Sequence, residues 1–244
     1  MHCLVVLAWL TGCGRIGFDP EGRDAAPAID ATLADASRVP IAFVQTAANS
    51  AGGATTVSAT FVSPVGPGHT LVVGLDFDHG GQVPSLTLDD DLQDTYTVLD
   101  ARDAFSSFMQ FIAIAPVAGS GIATVTATLD LPAANFIELR VLDYTGLAET
   151  NLGDGATGTE GTAATAPTDV TAPAVVTTAP NELLLGLTVC DCGSTSGPGM
   201  TQRSNFDADT FEELLAPTPG SHTLVTTLQQ PGRWRFSVVA LRGQ

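Results

Sequence analysis

The sequence predicts an all-β protein, an antiparallel, jelly-roll-like β-sandwich that begins near Ile41. Three observations predict it. From Ile41 onward the apolar residues recur with period two, which places them on one face of extended strands. Gly- and Pro-rich stretches interrupt these runs at short intervals, as turns do. Only 14% of residues are charged, and 25 Gly and 15 Pro stand among abundant Thr and Ser, a mixture that suits short strands rather than long helices.

The elements follow in order. In Thr70–Asp78, Leu71, Val73, Leu75 and Phe77 share a face. Phe108–Ala115 and Leu183–Val189 are apolar on both faces, the mark of central strands. In Ala123–Leu129, Ala123, Val125, Ala127 and Leu129 point opposite to Thr124, Thr126 and Thr128. In Phe136–Tyr144, Ile137, Leu139 and Val141 oppose Glu138 and Arg140. The closing run Trp234–Leu241 aligns Trp234, Phe236, Val238 and Ala240. Pro64–Gly68, Ala118–Gly121 and Gly197–Gly199 read as turns, and Asn151–Pro167, rich in Gly, Thr and Ala, reads as a loop. About ten strands are expected on this spacing.

Upstream, residues 13–40 change character. Gly14–Pro40 is rich in Ala, Asp and Pro, lacks alternation and reads as a flexible acidic linker, spanning on the order of 30 Å. Residues 4–12 form an apolar run too short to cross a bilayer, which needs about 20 residues, but of signal-peptide length. The segment Leu10-Thr11-Gly12-Cys13 resembles the bacterial lipobox, and Gly14–Asp19 resembles the mature start of myxobacterial-type lipoproteins. The resemblance implies that residues 1–12 are removed and that Cys13 is lipidated. Two or more acyl chains there give stable anchoring. Gly14, where an inner-membrane retention signal has Asp, implies the outer membrane of the cell envelope. A second resemblance rests on Asp90–Thr97 and on Leu142-Asp143-Tyr144-Thr145-Gly146-Leu147. Both are similar to turn and strand-end motifs of an uncharacterised β-sandwich domain of bacterial secreted and surface proteins, over residues 43–244. It implies a fold and no chemistry.

Charge narrows the function. All nine basic residues are Arg, against 26 acids, for a net charge of −17, which argues against nucleic acid as a partner. Catalytic machinery is thin: His69, His79 and His222 are scattered, and neither a G-x-S-x-G elbow nor an H-E-x-x-H motif occurs. Trp234 alternates with core residues, which leaves few aromatics for a sugar platform. The acids themselves suggest calcium. Asp76 and Asp78 lie two apart on one strand face, and Asp89, Asp90, Asp91 and Asp94 crowd the next hairpin; solvated turn carboxylates are the plainer reading. Cys190 and Cys192, roughly 6.5–7 Å apart in an extended strand, reach a disulfide once the chain bends. The sequence thus points to a non-enzymatic surface lipoprotein. Its domain 41–244 would bind a surface glycan or protein, with a glycan-acting hydrolase or a purely structural envelope component as alternatives.

Overall fold

The period-two runs become strands, and the side chains on each face decide which layer a strand joins. A computed structural model describes residues 39–244; the signal segment, Cys13 and the linker through residue 38 lie outside the described residues. Among the described residues every named element is a strand and every pairing is antiparallel. The fold is an all-β sandwich, as the alternation predicts.

The first half contains β1 (Ala42–Gly52), β2 (Thr56–Thr60), β3 (His69–Asp78), β4 (Leu86–Asp90), β5 (Thr97–Ala104), β6 (Phe108–Pro116), β7 (Thr124–Leu129) and β8 (Phe136–Thr145). They form a five-stranded sheet in the order β1-β8-β3-β6-β5 and a three-stranded sheet in the order β2-β7-β4. First beside eighth and second beside seventh is the winding of a jelly roll. Leu71, Val73, Leu75 and Phe77 of β3, with Ile137, Leu139 and Val141 of β8, pack on Val57, Ala59, Val125 and Ala127 of the smaller sheet.

The second half repeats that winding. It contains β9 (Gly153–Ala163), β10 (Thr168–Thr171), β11 (Val175–Thr177), β12 (Glu182–Cys190), β13 (Ser194–Ser196), β14 (Thr201–Phe206), β15 (Asp209–Ala216), β16 (Gly220–His222), β17 (Val225–Leu228) and β18 (Gly232–Leu241). Its sheets run β9-β18-β12-β15-β14 and β10-β17-β13, with β11 and β16 as an added ribbon. If β9, β10, β12, β13, β14, β15, β17 and β18 are matched in sequence order with β1 to β8, all six pairings of the first half recur. The described residues are therefore a tandem of two jelly rolls with eighteen strands, where the spacing predicts one sandwich of about ten.

The halves join through their large sheets. Val72, Ile112, Ile114, Leu142 and Tyr144 from the first meet Leu183, Leu185, Leu187, Phe211 and Val239 from the second. Strand β5 lies against β9 and β18, while β1 and β8 lie against β14. Each large sheet thus sets its first-strand edge over the other's fifth-strand edge, the self-complementary arrangement of a two-fold dimer made within one chain. Both large sheets are covered on both faces, which explains why β3 and β12 are buried almost throughout. Gly74 of β3 makes the approach close: a Cβ there would stand 2.7 Å from the Phe211 ring.

The predicted loop Asn151–Pro167 is mostly a strand. Residues 153–163 form the edge strand β9, paired with β18 over ten positions. Its glycines hide it from hydrophobic periodicity, yet they are what its partner requires. Gly161 lies opposite Trp234, and a Cβ on it would come 2.8 Å from the indole; one on Gly158 would come 2.8 Å from Arg235 Nη2. The large side chains of β18 cover the positions β9 leaves bare.

Candidate functional site

Where the two large sheets meet, β8 carries Glu138 and Arg140 two residues apart, hence on one face, and that face is turned to the second half. Asp76 of β3 lies directly beside Glu138 in the antiparallel register. Asp209 arrives from the second half, at the end of the β14–β15 hairpin, whose central residues Asp207 and Ala208 both have positive φ, 51° and 67°. Two left-handed residues are the type I′ geometry that turns a two-residue hairpin.

Arg140 gathers these groups. Its Nη1 donates to Asp76 Oδ1; its Nη2 donates to Glu138 Oε2 at 2.5 Å, Asp209 Oδ2 at 3.1 Å and the Phe206 carbonyl at 3.0 Å. The guanidinium and Asp76 are fully buried. Two atoms go without partners, Asp76 Oδ2 and Arg140 Nε. Asp209 Oδ1 accepts from the Cys190 amide at 2.9 Å. One carboxylate oxygen each from Asp76, Glu138 and Asp209 lies within 4.8 Å of the other two.

Burial sets the electrostatics. It pushes Asp76 up despite Arg140, lifts Glu138 to about 7 with help from the Asp76 charge, and raises Asp209 well above the carboxylate range. Burial also opposes the Arg140 cation, but Asp76, Asp209 and Glu138 outweigh it and raise its pKa. A cleft of about 160 Å³ opens onto the group, lined by Glu138, Asp207, Asp209, Cys190, Asp191 and Arg233. Cys190 and Cys192 are disulfide-bonded in a bend with Cα atoms 5.1 Å apart, and Asp191 between them accepts from the Arg233 amide at 2.6 Å.

Of the six aspartates suggested by the sequence, Asp76 alone belongs to this group. Asp78 accepts from the Gly80 amide at 2.8 Å and from Asn135. Asp90 accepts from the amides of Leu92 and Asp94, at 2.8 and 3.1 Å, and from the Tyr96 hydroxyl at 2.7 Å. Asp91 accepts from the Thr124 amide and Asp94 from the Ala118 amide, each at 2.8 Å. The expected hairpin is instead a connection between sheets, since β4 pairs with β7 and β5 with β6. These bonds fasten it to the start of β7 and the turn before it. Asp89 is exposed. The histidines are dispersed as well. His69 bonds to Asp143 at 2.7 Å, His79 to Asp103 at 3.2 Å and His222 to Thr177 at 3.1 Å.

A second concavity, a groove of about 520 Å³, runs beside β4, the last strand of its sheet. Leu86, Leu88, Tyr96, Val98 and Phe111 give it apolar walls, and Asp89 and Asp94 add carboxylates. At the matching place in the second half, β13 is tied to its neighbours. The Ser194 carbonyl accepts from Asn205 Nδ2 at 2.8 Å, and Ser194 Oγ and Thr210 Oγ1 lie 3.1 Å apart. One copy of the edge is laced to the adjoining strands and the other is bordered by a groove.

Glu138, Arg140 and Asp209 escape sequence reading because strand pairing assembles them. The available signal is a charged pair alternating with apolar residues on β8, in a chain with nine basic residues. No family model, curated protein or solved structure matches the chain.

Proposed function

We propose that the chain is a binding protein of the bacterial envelope, lipid-anchored at Cys13, whose groove along β4 takes an extended polypeptide segment carrying basic side chains. The observation that carries this reading is the groove itself, bordering the edge whose counterpart in the second half is laced to its neighbours by Ser194, Asn205 and Thr210. A sheet edge offers backbone donors and acceptors to an added strand, and apolar walls accept alternate side chains. Asp89 and Asp94 favour a cationic partner, as does a net charge of −17. The groove's volume lies within the ~300–1,000 Å³ of ligand sites, whereas the cleft beside Glu138 lies below it, which supports binding over hydrolysis. No helix of the described residues is long and apolar enough to cross a membrane, and Cys13 supplies the attachment on this reading.

The test uses the full chain in detergent and two fluorescent ten-residue peptides, Val alternating with Arg and Val alternating with Glu. The Arg peptide binds, more weakly as salt rises, and loses at least tenfold in affinity to the double variant Asp89→Lys/Val98→Lys. Equal binding of the Glu peptide, or no binding of either, overturns the reading.

A further inference from the structure

We propose that Asp76, Glu138 and Asp209 bind one calcium ion at the junction of the two jelly rolls, with the adjoining cleft as the path for the ion and for the water that completes its shell.

Fully ionised, the group does not balance its charge within the protein. Arg140 alone bonds all three carboxylates, and the Asp207 charge also acts on Asp76 and Glu138. If all three acids are ionised around one guanidinium, two negative charges are left over; burial resists this by raising the carboxyl pKa values, and a bound cation would let all three ionise. The second observation is the fully buried Asp76 Oδ2, which has no partner. Such an oxygen forfeits its hydration without replacement. A cation supplies what both observations lack.

The spacing admits calcium, and coordination chemistry favours it. Ligands on one calcium, at 2.3–2.6 Å, are separated by at most about 4.6–5.2 Å. The three oxygens lie within 4.8 Å of one another, so a single calcium shell encloses them with little movement. Magnesium demands near-ideal octahedral geometry and gives up its water reluctantly, which suits it less to carboxylates held in place by strands and already shared with Arg140. Cleft water completes the six to eight oxygens calcium requires. Because Asp76 and Glu138 belong to the first half and Asp209 to the second, the ion would bridge the two.

The experiment is a thermal melt of the full chain after chelator treatment, in calcium chloride, magnesium chloride, or sodium chloride at matched ionic strength, with calcium stoichiometry from equilibrium dialysis. Calcium at a hundredfold excess over its dissociation constant raises the midpoint by about 5–10 °C beyond sodium. Magnesium raises it less, and one calcium binds per chain. Glu138→Gln and Asp209→Asn keep the side-chain shapes, remove buried charge and abolish both effects. Asp91→Asn, in the connection between β4 and β5, preserves them. If calcium acts no better than sodium, if both charge-removing variants retain the calcium shift, or if Asp91→Asn abolishes it, the site does not exist.

Discussion

Tyr144 of the first jelly roll donates its hydroxyl to Glu213 Oε2 of the second at 2.6 Å, across the plane where the large sheets meet. The phenol is fully buried and the carboxylate nearly so, while Arg203 pairs with the other carboxylate oxygen. Tyr144→Phe removes the donor and leaves the Arg203 pair in place. Urea denaturation should show a loss of about 1–2 kcal/mol with an unchanged m-value. An unchanged midpoint would mean that water or Arg203 takes over the bond.

Stability should depend on pH through Glu212. This side chain is fully buried on β15, and burial raises its pKa to about 8, although the Gly197 amide donates to it at 3.1 Å. Between its ordinary value and about 8 the folded chain holds a proton that the unfolded chain has lost. Stability therefore falls as pH climbs through that window. Glu212→Gln should flatten the melting profile, with a gain on the order of 4 kcal/mol at pH 8 and almost none at pH 4. A gain independent of pH would place the effect elsewhere.

The glycines of β9 should resist replacement more than an exposed edge suggests. Gly161→Val sets a branched side chain against the Trp234 indole, which must shift. A cost of about 1–3 kcal/mol is expected, with a change in indole fluorescence. Gly53, whose missing Cβ faces open space but whose φ is +60°, is a contrasting case: Gly53→Ala should cost about 1–2 kcal/mol from backbone strain and leave the fluorescence unaltered.

Anchoring is tested by detergent partitioning. The wild-type chain expressed in a Gram-negative host should enter the detergent phase, whereas Cys13→Ser should remain aqueous or unprocessed. Identical partitioning would exclude a lipid at Cys13.

Periodicity reveals the strands that bury one apolar stripe and hides the rest. Leu71, Val73, Leu75 and Phe77 of β3 face the core their spacing announces, as do Ala123, Val125, Ala127 and Leu129 in and beside β7. Strand β9 carries no such stripe, because its contribution is the absence of side chains beneath Trp234 and Arg235. The duplication is hidden for a related reason. In β3, Leu71, Val73 and Leu75 face the small sheet, while Leu183, Leu185 and Leu187 of β12 face the opposite half. Equivalent strands thus carry similar residues in opposite phase. The charged group at Arg140 joins side chains 64 and 69 positions away, so it exists only once the register of β3 on β8 and the β14–β15 turn are known.

The course of the chain between the halves has a consequence for connectivity. Pro40 lies against Gly146, Leu147 bridges Gly243, the Ala148 amide donates to the Arg242 carbonyl at 2.9 Å, and the Gln244 amide donates to the Gly146 carbonyl at 3.0 Å. Entry to the first jelly roll, passage to the second and the last residues described therefore share one pole. A circular permutant that joins residue 244 to residue 39 through a few glycines and opens at Glu149–Thr150 has only a short gap to close. It would present the second winding before the first with the same sheets. Which half is synthesised first is then a property of the gene, to which the folded protein is indifferent.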